Sequence, residues 1–73
     1  SQHEFVRQGD AYYRKGARGQ AVGKPYCLRC WDVDHRQRSL VRSAKEMRNR
    51  VCTACKTEYE GRSAPELSEE PPA

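Results

Sequence analysis

Seventy-three residues, 36% apolar and 33% charged, with a single Phe, Trp and Met, bound the chain to one domain with little apolar surface to bury. That excludes a large enzyme core, and no apolar run approaches the length of a membrane span. The formal charge of +4 is uneven: residues 1–64 carry fourteen Lys and Arg against seven acids, while 65–73 add only Glu66, Glu69 and Glu70. A basic body with a short acidic end points to a polyanion or an acidic protein face as partner.

Taken in order, residues 1–4 read as a frayed terminus, and the missing Met suggests a fragment or a processed product of a larger protein. Phe5-Val6-Arg7, the turn Gln8-Gly9-Asp10 and Ala11-Tyr12-Tyr13-Arg14-Lys15 predict a hairpin pairing roughly 4–7 with 11–15. Three glycines in residues 16–23 predict a flexible loop. Residues 1–22 thus form an N-terminal hairpin and loop.

Next come the only four cysteines, Cys27-Leu28-Arg29-Cys30 and Cys52-Thr53-Ala54-Cys55, two C-x2-C pairs with twenty-one residues between Cys30 and Cys52. Each pair presents two thiolates from a tight turn. Two such turns brought together make a closed tetrahedral site for one Zn²⁺. A chain this polar needs such a staple, and a structural zinc contributes on the order of 10–16 kcal/mol to folding. Two disulfides are the rival staple, but a C-x2-C pair is poorly placed for loop closure and no signal peptide is evident. A reducing cytoplasm is the default compartment. Iron is the metal alternative.

Between the pairs, residues 38–42 and 47–51 read as strands joined by Ser43-Ala44-Lys45-Glu46, with a helix over 36–50 as the weaker option. Arg36, Arg38, Arg42, Lys45, Arg48 and Arg50 face a single acid, Glu46. On a hairpin the even-numbered arginines share faces, so a cationic stripe suited to a phosphate backbone follows if the register aligns them. The bland alternative is a solvated, edge-protecting charged face. Trp31 and Tyr26 are expected in a mini-core around the cysteines, with one of Tyr12 and Tyr13 exposed and able to stack on bases. Tyr59 is expected to pack back on the module. His35 is expected in a solvated loop rather than as a ligand. Residues 61–73, rich in Pro and Glu, are expected to be a disordered acidic tail.

Over about residues 11–59 the chain resembles a four-cysteine zinc ribbon, two C-x2-C knuckles joined by a β-hairpin, with residues 23–60 as the ribbon domain. Pro25-Tyr26-Cys27-Leu28-Arg29-Cys30-Trp31, Leu40-Val41-Arg42 and Val51-Cys52-Thr53-Ala54-Cys55-Lys56 are similar to C-terminal zinc ribbons of small uncharacterised bacterial and phage proteins. The resemblance implies a small all-β, zinc-stapled fold with one Zn²⁺ on Cys27, Cys30, Cys52 and Cys55, and no established activity. It departs from many ribbons at Trp31 and Lys56, where glycine is common, so a left-handed residue there would be mildly strained. Four thiolates leave the metal no open position, and no pair of acids is placed for catalysis. The expectation is a non-catalytic interaction module without a small-molecule substrate or membrane, contacting DNA or RNA through the Arg-rich hairpin. The alternatives are a protein–protein adaptor and a thiol/zinc redox switch.

Overall fold

The computed structural model describes residues 4–69. Six short strands build two three-stranded antiparallel sheets. The first holds β1 (Phe5–Gln8), β2 (Ala11–Lys15) and β3 (Ala21–Cys27) in the order β1-β2-β3. The second holds β4 (Val41–Arg42), β5 (Asn49–Val51) and β6 (Glu58–Glu60) in the order β4-β5-β6.

The expected first hairpin forms, with Phe5 opposite Arg14 and Gln8 opposite Ala11. Gly9 takes φ 62° in its two-residue turn, a left-handed conformation that costs glycine nothing. The expected glycine-rich loop over 16–23 is shorter than predicted, because β3 already begins at Ala21. The strand passes through Gly23 at φ 81°, and pairing with β2 shifts register between Tyr12 and Arg14. A glycine here marks an irregular strand rather than a loop.

The predicted strand over 38–42 is divided between the two sheets. Its first part lies along the free edge of β3, where Cys27 N–H donates to Arg38 C=O (2.7 Å) and Leu40 N–H to Pro25 C=O (3.0 Å). Pro25 has no N–H to offer, yet its carbonyl still accepts, so it is tolerated in this strand. Only Val41–Arg42 continues as β4, pairing Val41 with Val51 and Arg42 with Arg50. The turn that follows is fixed by Ser43, whose buried hydroxyl accepts from the N–H groups of Lys45 and Glu46 at 3.2 Å each. β6 extends the sheet by pairing Arg50 with Tyr59.

The core between the sheets is small: Ala11, Tyr13, Cys27, Cys30, Leu40, Cys52 and Ala64. Three of these seven are cysteines, so the sulfur cluster lies inside what packing there is. Ala64 corrects the expectation of a disordered tail over its first part. A 3-10 turn at Gly61–Ser63 leads Ala64 into the core with no exposed surface. Tyr13 OH donates to Pro65 C=O (2.6 Å), and Leu67 N–H to Gly23 C=O (2.7 Å). These contacts hold a segment whose composition alone would leave it loose. Residues 1–3 and 70–73, to which the readings of a frayed start and a disordered end also apply, lie outside the described residues. Among the described residues no helix is long and apolar enough to cross a membrane.

Candidate metal centre

The two cysteine pairs are presented by different sheets. Cys27 is the last residue of β3, and Cys30 opens a single π-helical turn, Cys30–Asp34. His35 closes that turn in a left-handed conformation (φ 55°), its N–H donating to Trp31 C=O at 3.0 Å. Cys52 follows β5, and its loop to β6 is clasped by two backbone hydrogen bonds. Lys56 N–H donates to Cys52 C=O (2.8 Å) and Cys52 N–H to Thr57 C=O (3.0 Å). Lys56 has φ 67°, the strained left-handed residue expected of a non-glycine at that place. Trp31, at the equivalent place after the first pair, is not left-handed; the helical turn moves that conformation on to His35.

All four sulfurs lie within 4.8 Å of one another. Cys27 Sγ is 3.7 Å from Cys55 Sγ, and Cys30 Sγ is 3.6 Å from Cys52 Sγ. A tetrahedral four-thiolate site with metal–sulfur bonds near 2.3 Å sets its sulfurs about 3.8 Å apart. These two distances fit that edge. Disulfide bonding requires about 2.05 Å, and all four cysteines are free. Both of these contacts join a sulfur of the first pair to one of the second.

The surroundings are those of a site built for negative charge. Four thiolates around a divalent ion carry two units of net negative charge, which needs nearby donors. Cys30 N–H points to Cys27 Sγ at 3.4 Å, and Arg38 Nη1 lies 3.6 Å from Cys30 Sγ. Tyr59 OH, which accepts from Arg29 N–H at 3.2 Å, sits 3.5 Å from Cys27 Sγ. Thr57 Oγ1 is 3.2 Å from Cys55 Sγ. Tyr59 therefore packs back on the module as its sequence position suggested. Burial pushes the Cys30 thiol up to about 12, against the pull of Arg38. Burial also raises Cys27. At Cys55 burial likewise opposes ionisation, but the Thr57 hydroxyl and N–H and the neighbouring thiols outweigh it, lowering the thiol to about 6. His35 is solvent-exposed and outside the sulfur cluster, stacked edge-on against Trp31 at 5.5 Å.

The six basic residues predicted for a nucleic-acid face do not form a single stripe. Arg42 and Arg50 are direct cross-strand partners, the register that a stripe would need, but so are Arg50 and Tyr59. Directly opposed residues share a sheet face, and Tyr59 reaches the sulfurs, so the face turns toward the body at Arg50 and Tyr59 and stays in solvent at Arg42. Arg50 is half-buried, and its Nε is buried without an acceptor. Arg38 is committed to Cys30. Arg42 donates to Met47 C=O (2.9 Å), and Arg48 pairs with Glu46 at 3.2 Å. Arg36 and Lys45 are exposed. A groove of about 820 Å³ gathers Arg42, Arg48, Arg50 and Arg62, but Glu46, Glu60 and Glu66 line it too. Register decides this outcome, and the sequence does not contain the register.

Fold and site together define a small all-β protein whose two three-stranded sheets are joined at a four-cysteine cluster arranged for a metal ion. No family model, curated protein or solved structure matches the chain.

Proposed function

We propose that the chain is a zinc-ribbon-like module in which one Zn²⁺, held by Cys27, Cys30, Cys52 and Cys55, replaces most of the missing core, and which serves as a non-catalytic interaction domain. The observation that carries this reading is the clustering of the four sulfurs within 4.8 Å of one another, with two contacts at 3.6 and 3.7 Å. Zinc filled by four thiolates has no position for water or substrate, which is why the reading is structural. Native mass spectrometry and elemental analysis of protein expressed with both metals test it: one zinc per chain is expected, and iron or no metal overturns it.

For the partner, the reading favours nucleic acid. The excess of basic residues supports it, together with the exposure of Arg36, Arg42, Lys45 and Arg48 around the β4–β5 hairpin. Binding to short mixed-sequence DNA and RNA is expected to weaken steeply between low and physiological salt, because phosphate contacts release counterions. Replacing Arg42 and Arg48 by Glu is expected to abolish it. Absence of binding at low salt sinks this partner. The second reading, a protein adaptor, is favoured by Met47 and Val41, which leave 63% and 44% of their surface exposed on the same hairpin. Salt-insensitive capture of a protein, lost in Met47→Glu, would support it.

A further inference from the structure

The outer face of the first sheet carries an aromatic and cationic surface that the hairpin does not include. Tyr12 is paired directly with Arg7 on β1 and with Tyr26 on β3, and Phe5 with Arg14, so these five side chains share one face. Lys24 joins them, its Nζ lying 5.7 Å over the Tyr26 ring. The opposite face holds Ala11, Tyr13, Pro25 and Cys27, all buried in the core.

The rings form one continuous cluster. Phe5 stacks on Tyr12 at 6.1 Å and 13°, and meets Tyr26 at 5.0 Å and Trp31 at 4.9 Å. Trp31, supplied by the turn of the first cysteine pair, leans edge-on against Tyr12 at 6.2 Å. Trp31 and Tyr26 therefore lie outside the core around the cysteines, contrary to the sequence reading, and both remain half-exposed along with Tyr12. Phe5 beneath them is 7% exposed and serves as the floor. Arg7, Arg14 and Lys24 surround the rings and are exposed. Asp32, which accepts from Tyr12 OH at 2.7 Å, and Asp34 lie on the turn at one end. The cations are thus set across the strands, with acids at both borders: Asp32 and Asp34 on the turn, and Glu66 and Glu69 beside Arg14, Lys24 and Tyr26.

We propose that this face, through Tyr12, Tyr26 and Trp31 with Arg7, Arg14 and Lys24, binds single-stranded nucleic acid by stacking its bases on the rings. The inference rests on the nucleic-acid reading above and narrows it to unpaired strands. Bases in a duplex are already stacked and cannot lie on a protein ring, whereas a single strand offers both its bases to the half-exposed rings and its phosphates to Arg7, Arg14 and Lys24 beside them. A cationic hairpin alone makes no such distinction.

Trp31 is the only tryptophan, so its fluorescence reports on this face alone. The metal-loaded chain is titrated at low salt with oligo(dT) of about ten nucleotides, with a duplex of equal charge, and with heparin as a polyanion without bases. Quenching by the single strand, with weaker or no quenching by duplex and heparin, is expected. Tyr12→Ala and Tyr26→Ala are each expected to weaken single-strand binding on the order of ten- to a hundredfold, while Tyr12→Phe, which keeps the ring, retains it. Retained metal stoichiometry shows that each variant is folded. Single-strand binding without quenching, or unchanged in both alanine variants but lost in the Arg42 and Arg48 variants, overturns the stacking face and leaves the hairpin reading standing. Failure of every nucleic acid to bind overturns both.

Discussion

The guanidinium of Arg38 lies 3.6 Å from the sulfur of Cys30, eight residues earlier in the chain. The contact is possible because the backbone of Arg38 is bonded to Cys27, so the arginine enters directly beside the first knuckle. A cation at this distance offsets part of the negative charge of a metal-bound thiolate cluster. Arg38→Leu is therefore expected to lower metal affinity by about tenfold or more, read by competition with a chromophoric chelator. Arg38→Lys should recover part of the loss. Equal affinity in all three proteins would show that the arginine is a bystander.

Removing the metal tests how much of the fold depends on it. Three of the seven core residues are metal-binding candidates, and the two sheets meet at their sulfurs. A strong chelator is expected to abolish the cooperative thermal transition and the dispersion of amide NMR signals, with both restored by Zn²⁺. A chain that keeps its transition after complete metal removal would place the stabilising weight on Tyr13 and Leu40 instead.

Tyr13 carries a second prediction about stability. Its ring is fully buried, and its hydroxyl donates to Pro65 C=O at 2.6 Å, tying the C-terminal segment to the core. Tyr13→Phe leaves the ring in place and removes one buried hydrogen bond, at a cost of roughly 0.5–1.5 kcal/mol. For a domain of this size that lowers Tm by about 4–8 °C per kcal/mol. The amide of Leu67, bonded to Gly23 C=O, should exchange faster in the variant. Unchanged exchange at Leu67 would mean that the segment is held without Tyr13.

Features with a local cause could be read from the residues. The C-x2-C spacing announces the sulfur cluster, Gly9 announces the first hairpin, and the left-handed Lys56 follows from its place after the second pair. What escaped the sequence was set by contacts distant along the chain. Residues 38–42 carry one strand-like pattern but pair with two sheets, which only the edge left open by β3 decides. Ala64 and Leu67 are too few and too small to reveal a docked segment inside a Pro- and Glu-rich run. The arginines between the two cysteine pairs look alike in sequence. Register and a nearby thiol divide them into Arg38 at the metal centre, Arg50 half-buried, and Arg36 and Arg48 in solvent.

Proton competition at the cysteines gives a last prediction. Burial raises Cys27 and pushes Cys30 to about 12, so while the cluster is buried without an ion both thiols keep their protons at neutral pH. Folded-state pKa values above the unfolded one mean that whatever fold survives metal removal keeps their contribution below about pH 9 and loses it as pH rises through the raised values. Cys55, lowered to about 6 where the Thr57 bonds and the neighbouring thiols outweigh its burial, acts in the opposite sense. Its contribution is present at alkaline pH and lost as pH falls through about 6. Metal binding requires thiolates throughout, so it must expel the protons of Cys27 and Cys30. Affinity is thus expected to rise with pH between 6 and 8, by up to about a hundredfold per unit from these two groups together. Chelator competition at three pH values measures it, corrected for the chelator's own protonation. A flat profile would mean that Cys27 and Cys30 are already ionised in the metal-free chain.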